Sequence, residues 1–270
     1  DIDKKKILKG LIQSSRPMNV AIAILASLTG LHFINVHIDI SIIPIITIVG
    51  LITIIANVTN DIADSSIDRI NRSDRPLPQG IILKRHLMIY FVLALLVASY
   101  VVIESSIHYN GKLFSIFIIL PTIFIYNVYL KKLPIIGNLI VATILGAVFL
   151  FVELAAHGAI EHTIEPFILA SLLSFPREVI KDIEDIEGDK AHSLRTFPIQ
   201  FGIEKSILIV NTGIAVLIAY SFYIYLSKDS FGNQYLTSLV LLIYIPLLYC
   251  CFGTTYKKKI NFYFISVVFK

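Results

Sequence analysis

Asn60-Asp61-Ile62-Ala63-Asp64-Ser65-Ser66-Ile67-Asp68-Arg69-Ile70-Asn71-Arg72-Ser73-Asp74-Arg75-Pro76-Leu77-Pro78-Gln79-Gly80 is the stretch on which the reading of this chain turns. It follows more than twenty almost uncharged residues, then places carboxylates at 61, 64, 68 and 74, with Arg69, Arg72 and Arg75 beside them. Asn60, Asp64 and Asp68 are spaced i, i+4, i+8, which on a helix sets all three on one face. Hard cations such as Mg²⁺ take oxygen ligands, commonly one or two carboxylates completed by phosphate. The pattern is therefore that of one half of a magnesium–diphosphate site. Taken alone, a solvated helix end just past a membrane span fits the same spacing equally well.

The rest of the chain explains why charge gathered here is informative. Of 270 residues 56% are hydrophobic and only 16% charged, far from the balance of a soluble protein. Apolar runs long enough to cross a bilayer recur at about 18–35, 38–60, 86–106, 112–130, 137–156, 166–181, 205–227 and 235–253, with a shorter one at 260–270. This predicts an all-α polytopic membrane protein of about nine transmembrane helices around a central cavity, with cytoplasmic cap loops after the second and sixth. Backbone polar groups in lipid must be satisfied internally, and without strand-like alternation helices are the choice over a barrel. The start of the chain, with Lys4, Lys5, Lys6 and Lys9 around Ile7–Ile12, reads as an amphipathic lead-in on the membrane surface. Cys250 and Cys251 are adjacent inside an apolar run and cannot easily meet disulfide geometry. No basic stripe exists for nucleic acid.

With those spans, all but three of the 23 basic residues fall on one side of the membrane; the exceptions are Lys112, Lys228 and Lys270. The positive-inside rule makes that side cytoplasmic, N-terminus included, for an integral protein of the cell membrane. Two connections on it are long, 61–85 and 182–204, and both open on aspartates and then turn basic. Loops of this length in a compact protein are functional or disordered. Their matched placement predicts a single domain, 1–270, built of pseudo-equivalent halves of about 1–135 and 136–270.

The second loop changes the weight of the first. In Lys181-Asp182-Ile183-Glu184-Asp185-Ile186-Glu187-Gly188-Asp189-Lys190, Asp185 and Asp189 share a helical face and Asp182 lies three residues earlier on the same side. Two acidic clusters on one membrane face repel unless cations lie between them, and ionisable groups at such positions are functional by default. Metals bridged by an anionic substrate would resolve the repulsion. A cation-coupled transporter is the alternative from another class, but transporters hold their ions near the midplane in broken helices, whereas these clusters stand at helix ends.

The first stretch, Asn60-x-x-x-Asp64-x-x-x-Asp68 running into Asn71-Arg72-x-x-Arg75-Pro76-Leu77-Pro78-x-Gly80, resembles the first signature of the UbiA superfamily of intramembrane prenyltransferases. Asp185-x-x-x-Asp189 ahead of Arg195-Thr196-x-Pro198 and Phe201-Gly202 resembles the second. Arg16-Pro17-x-Asn19, Tyr126-x-x-x-Leu130-Lys131-Lys132 and Gly137-Asn138 extend the likeness over most of the chain. The resemblance implies two Mg²⁺ ions held among Asn60, Asp61, Asp64, Asp68, Asp182, Asp185 and Asp189, gripping the diphosphate of a polyprenyl donor. It makes Asp64, Asp68, Asp185 and Asp189 catalytic, with Tyr126 beside the allylic cation. Arg16, Asn19, Arg69, Arg72, Arg75, Lys131, Lys181 and Arg195 become the substrate contacts; for the basic ones among them, topology alone is the competing explanation. Ser193 stands where the second signature usually has Gly, and Ser73-Asp74 replaces a commoner Pro-Glu type pair.

The form Arg177-Glu178-x-x-Lys181-Asp182-Ile183-Glu184-Asp185-x-Glu187-Gly188-Asp189 is similar to archaeal members that make the second ether bond of membrane lipids. Those transfer geranylgeranyl from its diphosphate to geranylgeranylglyceryl phosphate, so a lipid phosphate acceptor is implied. Prenylation of an aromatic ring of quinone, porphyrin or chlorophyllide type is the nearest alternative.

Overall fold

The computed structural model describes residues 4–227 and 232–249. The predicted span at 260–270, Cys250, Cys251, Lys228, Lys257–Lys259 and Lys270 lie outside the described residues. All regular structure among the described residues is helical. The helices are α1 (Lys4–Ser14), α2 (Pro17–Phe33), α3 (Ile43–Ala63), α4 (Asp68–Asn71), α5 (Lys84–Glu104), α6 (Tyr109–Leu113), α7 (Leu120–Val128), α8 (Ile136–Ala156), α9 (Ile164–Glu184), α10 (Ile186–Ala191), α11 (Phe197–Phe201), α12 (Ile203–Ser227) and α13 (Asn233–Leu239). A 3₁₀ turn, Ile40–Ile42, leads into α3, where the Asp39 side chain accepts from the Ser41 backbone N–H at 2.8 Å.

Among the described residues five stretches are long and apolar enough to cross a membrane: Ile40–Ala63, Lys84–Glu104, Tyr109–Val128, Ile136–Ala156 and Ile203–Ser227. Pro17–Phe33 and Asn233–Tyr249 are apolar but shorter. Helix α9 has the length, but its last third carries Arg177, Glu178, Lys181, Asp182 and Glu184. Each predicted span from 18–35 through 205–227 is thus covered by helix. Tyr109–Val128 widens into a π-type stretch at Phe114–Ile119, directly before Pro121. A proline inside a helix removes one N–H donor and crowds the carbonyl four residues back, and the chain answers by opening the turn. Leu96, Ile103, Phe117 and Leu242 are all exposed, as side chains facing lipid should be.

The chain divides into two compact units. The first holds the described residues through Lys131 together with Ala147–Phe167. Its core joins Leu31, Ile48, Val102, Phe151 and Val152. A second cluster there, Val58, Ile82 and Leu87, takes Ile7 and Leu11 of α1 against the loop after α4. That approach needs Gly10, since a Cβ there would stand 2.6 Å from Ile82 Cγ2. The second unit holds Lys132–Gly146 and the described residues from Ile168 onward, around Val179, Ile180, Val210, Ile214 and Leu217.

Candidate active site

The two aspartate clusters differ from a simple helical face. Helix α3 stops at Ala63, and Asp64 is its C-cap, with φ −89° and ψ 8°. The chain then turns and restarts as α4 at Asp68. Backbone bonds from Asp64 N–H to the Asn60 carbonyl (2.8 Å) and from Asp68 N–H to the Asp64 carbonyl (2.9 Å) nevertheless preserve the i, i+4 stacking. In the second unit α9 ends at Glu184 and Asp185 opens α10 with φ −94° and ψ 5°. There the bonds run from Asp185 N–H to the Lys181 carbonyl (2.9 Å) and from Asp189 N–H to the Asp185 carbonyl (3.1 Å). Each cluster therefore sits on a helix broken at its middle aspartate, in the same conformation.

In the first unit Asp61, Asp64 and Asp68 are all buried. Three cations neutralise them, Arg75 from the same loop and Arg16 and Lys131 from distant parts of the chain. Arg16 Nη2 donates to Asp61 Oδ1 at 2.5 Å. Arg75 Nη1 donates to Asp68 Oδ2 at 2.6 Å and reaches Asp61 Oδ1 at 3.3 Å. Lys131 Nζ pairs with Asp64 Oδ2. Burial pushes the Asp68 carboxyl above the usual range; Arg75 pulls against this, and the like charges of Asp64 and Asp61 add to it. Arg16 occupies the left-handed region, φ 52°, at the entry to α2. A residue with a Cβ meets about 1–2 kcal/mol there, and Pro17 follows it. Asn19 lies behind, its amide 3.5 Å from Asn57 Oδ1, while Asn57 Nδ2 donates to the Ser15 carbonyl at 3.0 Å.

In the second unit Asn138 Nδ2 donates to Asp182 Oδ2 at 2.8 Å. Although solvent still reaches part of Asp182, protein atoms crowd its carboxyl, and that desolvation, with the charges of Glu178 and Asp189, raises it to about 7 against the help of Asn138 and Lys181. The residue before α8 is Ile135, again with positive φ, 63°. In the first unit, Arg16 stands at the left-handed residue three before Asn19; three before Asn138 stands apolar Ile135, so no guanidinium is supplied there. Asp189 is buried. Lys181 Nζ donates to Glu178 Oε2 at 2.7 Å. Ser193 has φ 55°, which explains why glycine suits that turn.

Several expected residues stand apart. Arg69 and Arg195 are exposed, and neither is ion-paired among the described residues. Arg72, Asn60 and Tyr126 are half-buried. Asn57, Asn138 and Glu178 lie inside the two clusters; Asn138 and Glu178 fall within the quoted motifs, but neither was among the expected site residues. Asn57 gave no signal beyond being polar in an apolar helix.

Among the described residues no three His, Cys, Asp or Glu side chains converge into a ready cation cage. The ion pairs engage Oδ1 of Asp61 and Oδ2 of Asp64 and Asp68, leaving the other oxygen of each for a further ligand. Such a donor set suits Mg²⁺, which keeps only one or two carboxylates and completes its shell with water and phosphate.

Helices throughout the described residues, with aspartates at broken helix ends and the chain's own cations folded onto them, define an integral membrane protein with a polar, charge-balanced site at the helix ends. The chain belongs to the UbiA prenyltransferase family, whose model matches residues 19–268, and it is a prenyltransferase. It is 34% identical over 247 residues to digeranylgeranylglyceryl phosphate synthase of Methanothrix thermoacetophila, covering 89% of each chain. It is 37% identical over 220 residues to the enzyme of that name from Thermococcus sibiricus, covering 78% of this chain and 76% of the relative. A solved structure concerned with digeranylgeranylglyceryl phosphate synthase in membranes superposes with a TM-score of 0.69 at 28% identity, over 97% of this chain and 92% of that one. A UbiA homologue from Archaeoglobus fulgidus bound to DMAPP and Mg²⁺ has the same fold, with a TM-score of 0.71 at 18% identity over 96% of each chain.

Proposed function

We propose that this protein is a digeranylgeranylglyceryl phosphate synthase. It would move a geranylgeranyl group from geranylgeranyl diphosphate to the free hydroxyl of geranylgeranylglyceryl phosphate, forming the second ether bond of an archaeal-type membrane lipid. The observation that carries this reading is the 34% identity to a relative of that name over 89% of both chains. The C1–O bond of the donor breaks with its electron pair going to the diphosphate. The acceptor oxygen then bonds to C1 and its proton is released.

Two Mg²⁺ ions are proposed, held by Asn60, Asp61, Asp64 and Asp68 on one side and Asp182, Asp185 and Asp189 on the other; when bound they neutralise the leaving diphosphate. The chain's own residues supply the rest. Three cations already match three aspartates in the first cluster, so it stays charge-balanced without substrate. With the aspartates engaged by metal, Arg16, Arg75 and Lys131 would be free to hold phosphate oxygens, Arg through a two-pronged grip and Lys as a point charge. Asn19, Arg69, Arg72, Lys181 and Arg195 complete the proposed contacts. Tyr126 lends its ring face to the developing cation.

The matched conformations of Asp64 and Asp185 support pseudo-equivalent halves of about 1–135 and 136–270. The basic loops support an orientation in the cell membrane with the N-terminus and the aspartate loops cytoplasmic.

The test is direct. Purified protein in detergent is given geranylgeranyl diphosphate, Mg²⁺ and either geranylgeranylglyceryl phosphate or an aromatic acceptor. Diphosphate release and a diether product with the first acceptor are expected. Product only with the aromatic acceptor overturns the substrate assignment, and full activity in Asp64→Ala or Asp189→Ala overturns the metal assignment.

A further inference from the structure

Helix α9 carries an arrangement that the first unit lacks. Glu178 is buried, 6% exposed, in a helix that carries no charge from Pro166 to Pro176. One of its oxygens accepts from Arg177 Nη1 at 2.8 Å and the other from Lys181 Nζ at 2.7 Å. The carboxylate thus fixes two cations to itself and leaves the group with a surplus positive charge. Arg177 Nε is shielded from solvent without a hydrogen-bond partner, although the side chain as a whole keeps 19% exposure. A charged group withdrawn from water and left with an unmet donor is costly.

Counted back from the middle aspartate of each cluster, the first-unit counterparts of Arg177, Glu178 and Lys181 are Ala56, Asn57 and Asn60. That turn is neutral, and Asn57 there donates to the Ser15 carbonyl. The broken-helix conformation at the middle aspartate is the same in both units, but the cations one and two turns before it are confined to the second. Whatever they serve is therefore not the function common to both clusters.

We propose that Arg177 and Lys181, positioned by Glu178, bind the phosphate monoester of the acceptor lipid and select acceptors that carry one. This rests on the reading of the acceptor as a glyceryl phosphate lipid. Lys181 lies one helical turn before Asp185 and Arg177 two turns before it, about 6 and 12 Å along the axis. In such an acceptor the attacking hydroxyl sits on the carbon next to the one bearing the phosphate. A phosphate anchored at Arg177 and Lys181 then holds that hydroxyl within about a turn of the aspartates, which is how orientation lowers a bimolecular barrier. An acceptor without the phosphate leaves the shielded Arg177 Nε unmet and is rejected for that reason.

Steady-state kinetics on the full chain in detergent with Mg²⁺ test this, comparing geranylgeranylglyceryl phosphate with geranylgeranylglycerol, the same alcohol without phosphate. Arg177→Met is expected to raise KM for the phosphate acceptor roughly ten- to hundredfold, the worth of a hydrogen bond to a charged group. The preference for phosphate over plain alcohol should fall by the same factor, while KM for geranylgeranyl diphosphate shifts less than threefold. Because Arg177→Met takes from Glu178 one of its two cations and leaves only Lys181, the double variant Arg177→Met/Glu178→Gln, which removes the carboxylate charge as well, should reproduce the effect in a protein that still binds the donor. Arg177→Lys should recover part of the preference. An unchanged preference in both neutral variants, or a donor KM raised as much as the acceptor KM, overturns the proposal. Wild-type protein that ignores geranylgeranylglyceryl phosphate would instead overturn the acceptor assignment beneath it.

Discussion

Arg75 offers the sharpest test of how the first cluster is held. Its guanidinium bonds Asp68 at 2.6 Å and also touches Asp61 at 3.3 Å, and its side chain is only 25% exposed against 7% and 4% for the two carboxylates. Unit charges about 4 Å apart at an effective dielectric near 20 attract by about 4 kcal/mol, and desolvation offsets part of this. A coupling of about 2 kcal/mol between Arg75 and Asp68 is expected from a double-mutant cycle of Arg75→Met, Asp68→Asn and both. Arg75→Met alone should cost about 3 kcal/mol, because it strands Asp68 and removes one of two contacts to Asp61; Asp61 keeps Arg16. The assay is reversible unfolding in mixed micelles with chelator present. Asp68 is already raised by burial, and losing Arg75 raises it further. A carboxyl higher in the fold than in the unfolded chain favours folding at low pH, so the Arg75→Met deficit should shrink on going from pH 7.5 to 5. Added Mg²⁺ should also stabilise Arg75→Met more than wild type, since it supplies the missing positive charge. A coupling below about 0.5 kcal/mol, with a deficit independent of pH and Mg²⁺, would show that the pair is a surface contact and refute the charge-balance argument.

Three further outcomes follow from local geometry. Ser193→Gly should stabilise the protein by about 1 kcal/mol, because Ser193 holds φ 55° where a Cβ is penalised; an unchanged or lower melting temperature counts against the turn. Gly111→Ala should destabilise by about 1–3 kcal/mol, since the new methyl would sit 2.6 Å from Ala155 Cα; wild-type thermal stability would show that α6 and α8 do not touch there. For Asp182, raised to about 7 from 3.8, the fold favours the protonated form. Its stabilising contribution is complete below 3.8 and is lost as pH rises through about 7. Metal-free protein should therefore lose stability between pH 5 and 8, and Asp182→Asn should flatten that part of the curve; an unchanged slope in the variant would refute the assignment.

The helices were legible because lipid leaves the backbone no alternative, so uncharged run length alone placed most ends within a few residues. The break at Asp64 was not legible. The spacing i, i+4, i+8 is kept by backbone bonds across the turn, so an intact helix and an interrupted one give the same pattern. The partners of the aspartates were equally hidden. Arg16 meets Asp61 and Lys131 meets Asp64 across separations of 45 and 67 residues, and composition carries no record of which cation folds onto which carboxylate. Motif likeness brought Arg16, Arg75 and Lys131 into view as phosphate contacts, and the structure adds that they hold the aspartates. Glu178 stood within a quoted motif but its role was not legible, because an acid between two basic residues reads as an ordinary surface pair.

At the far end of α8, Glu153 is 1% exposed and fully engaged: it accepts from the backbone N–H groups of His162 and Thr163 at 3.0 Å and from the Thr163 hydroxyl at 2.6 Å. All those donors lie nine and ten residues further along the chain. Inserted without those donors, α8 would carry into the membrane a carboxylate that lipid cannot solvate. Its stable insertion therefore needs the segment through Thr163 folded back onto Glu153, which makes the hairpin and not the single helix the unit that the membrane accepts.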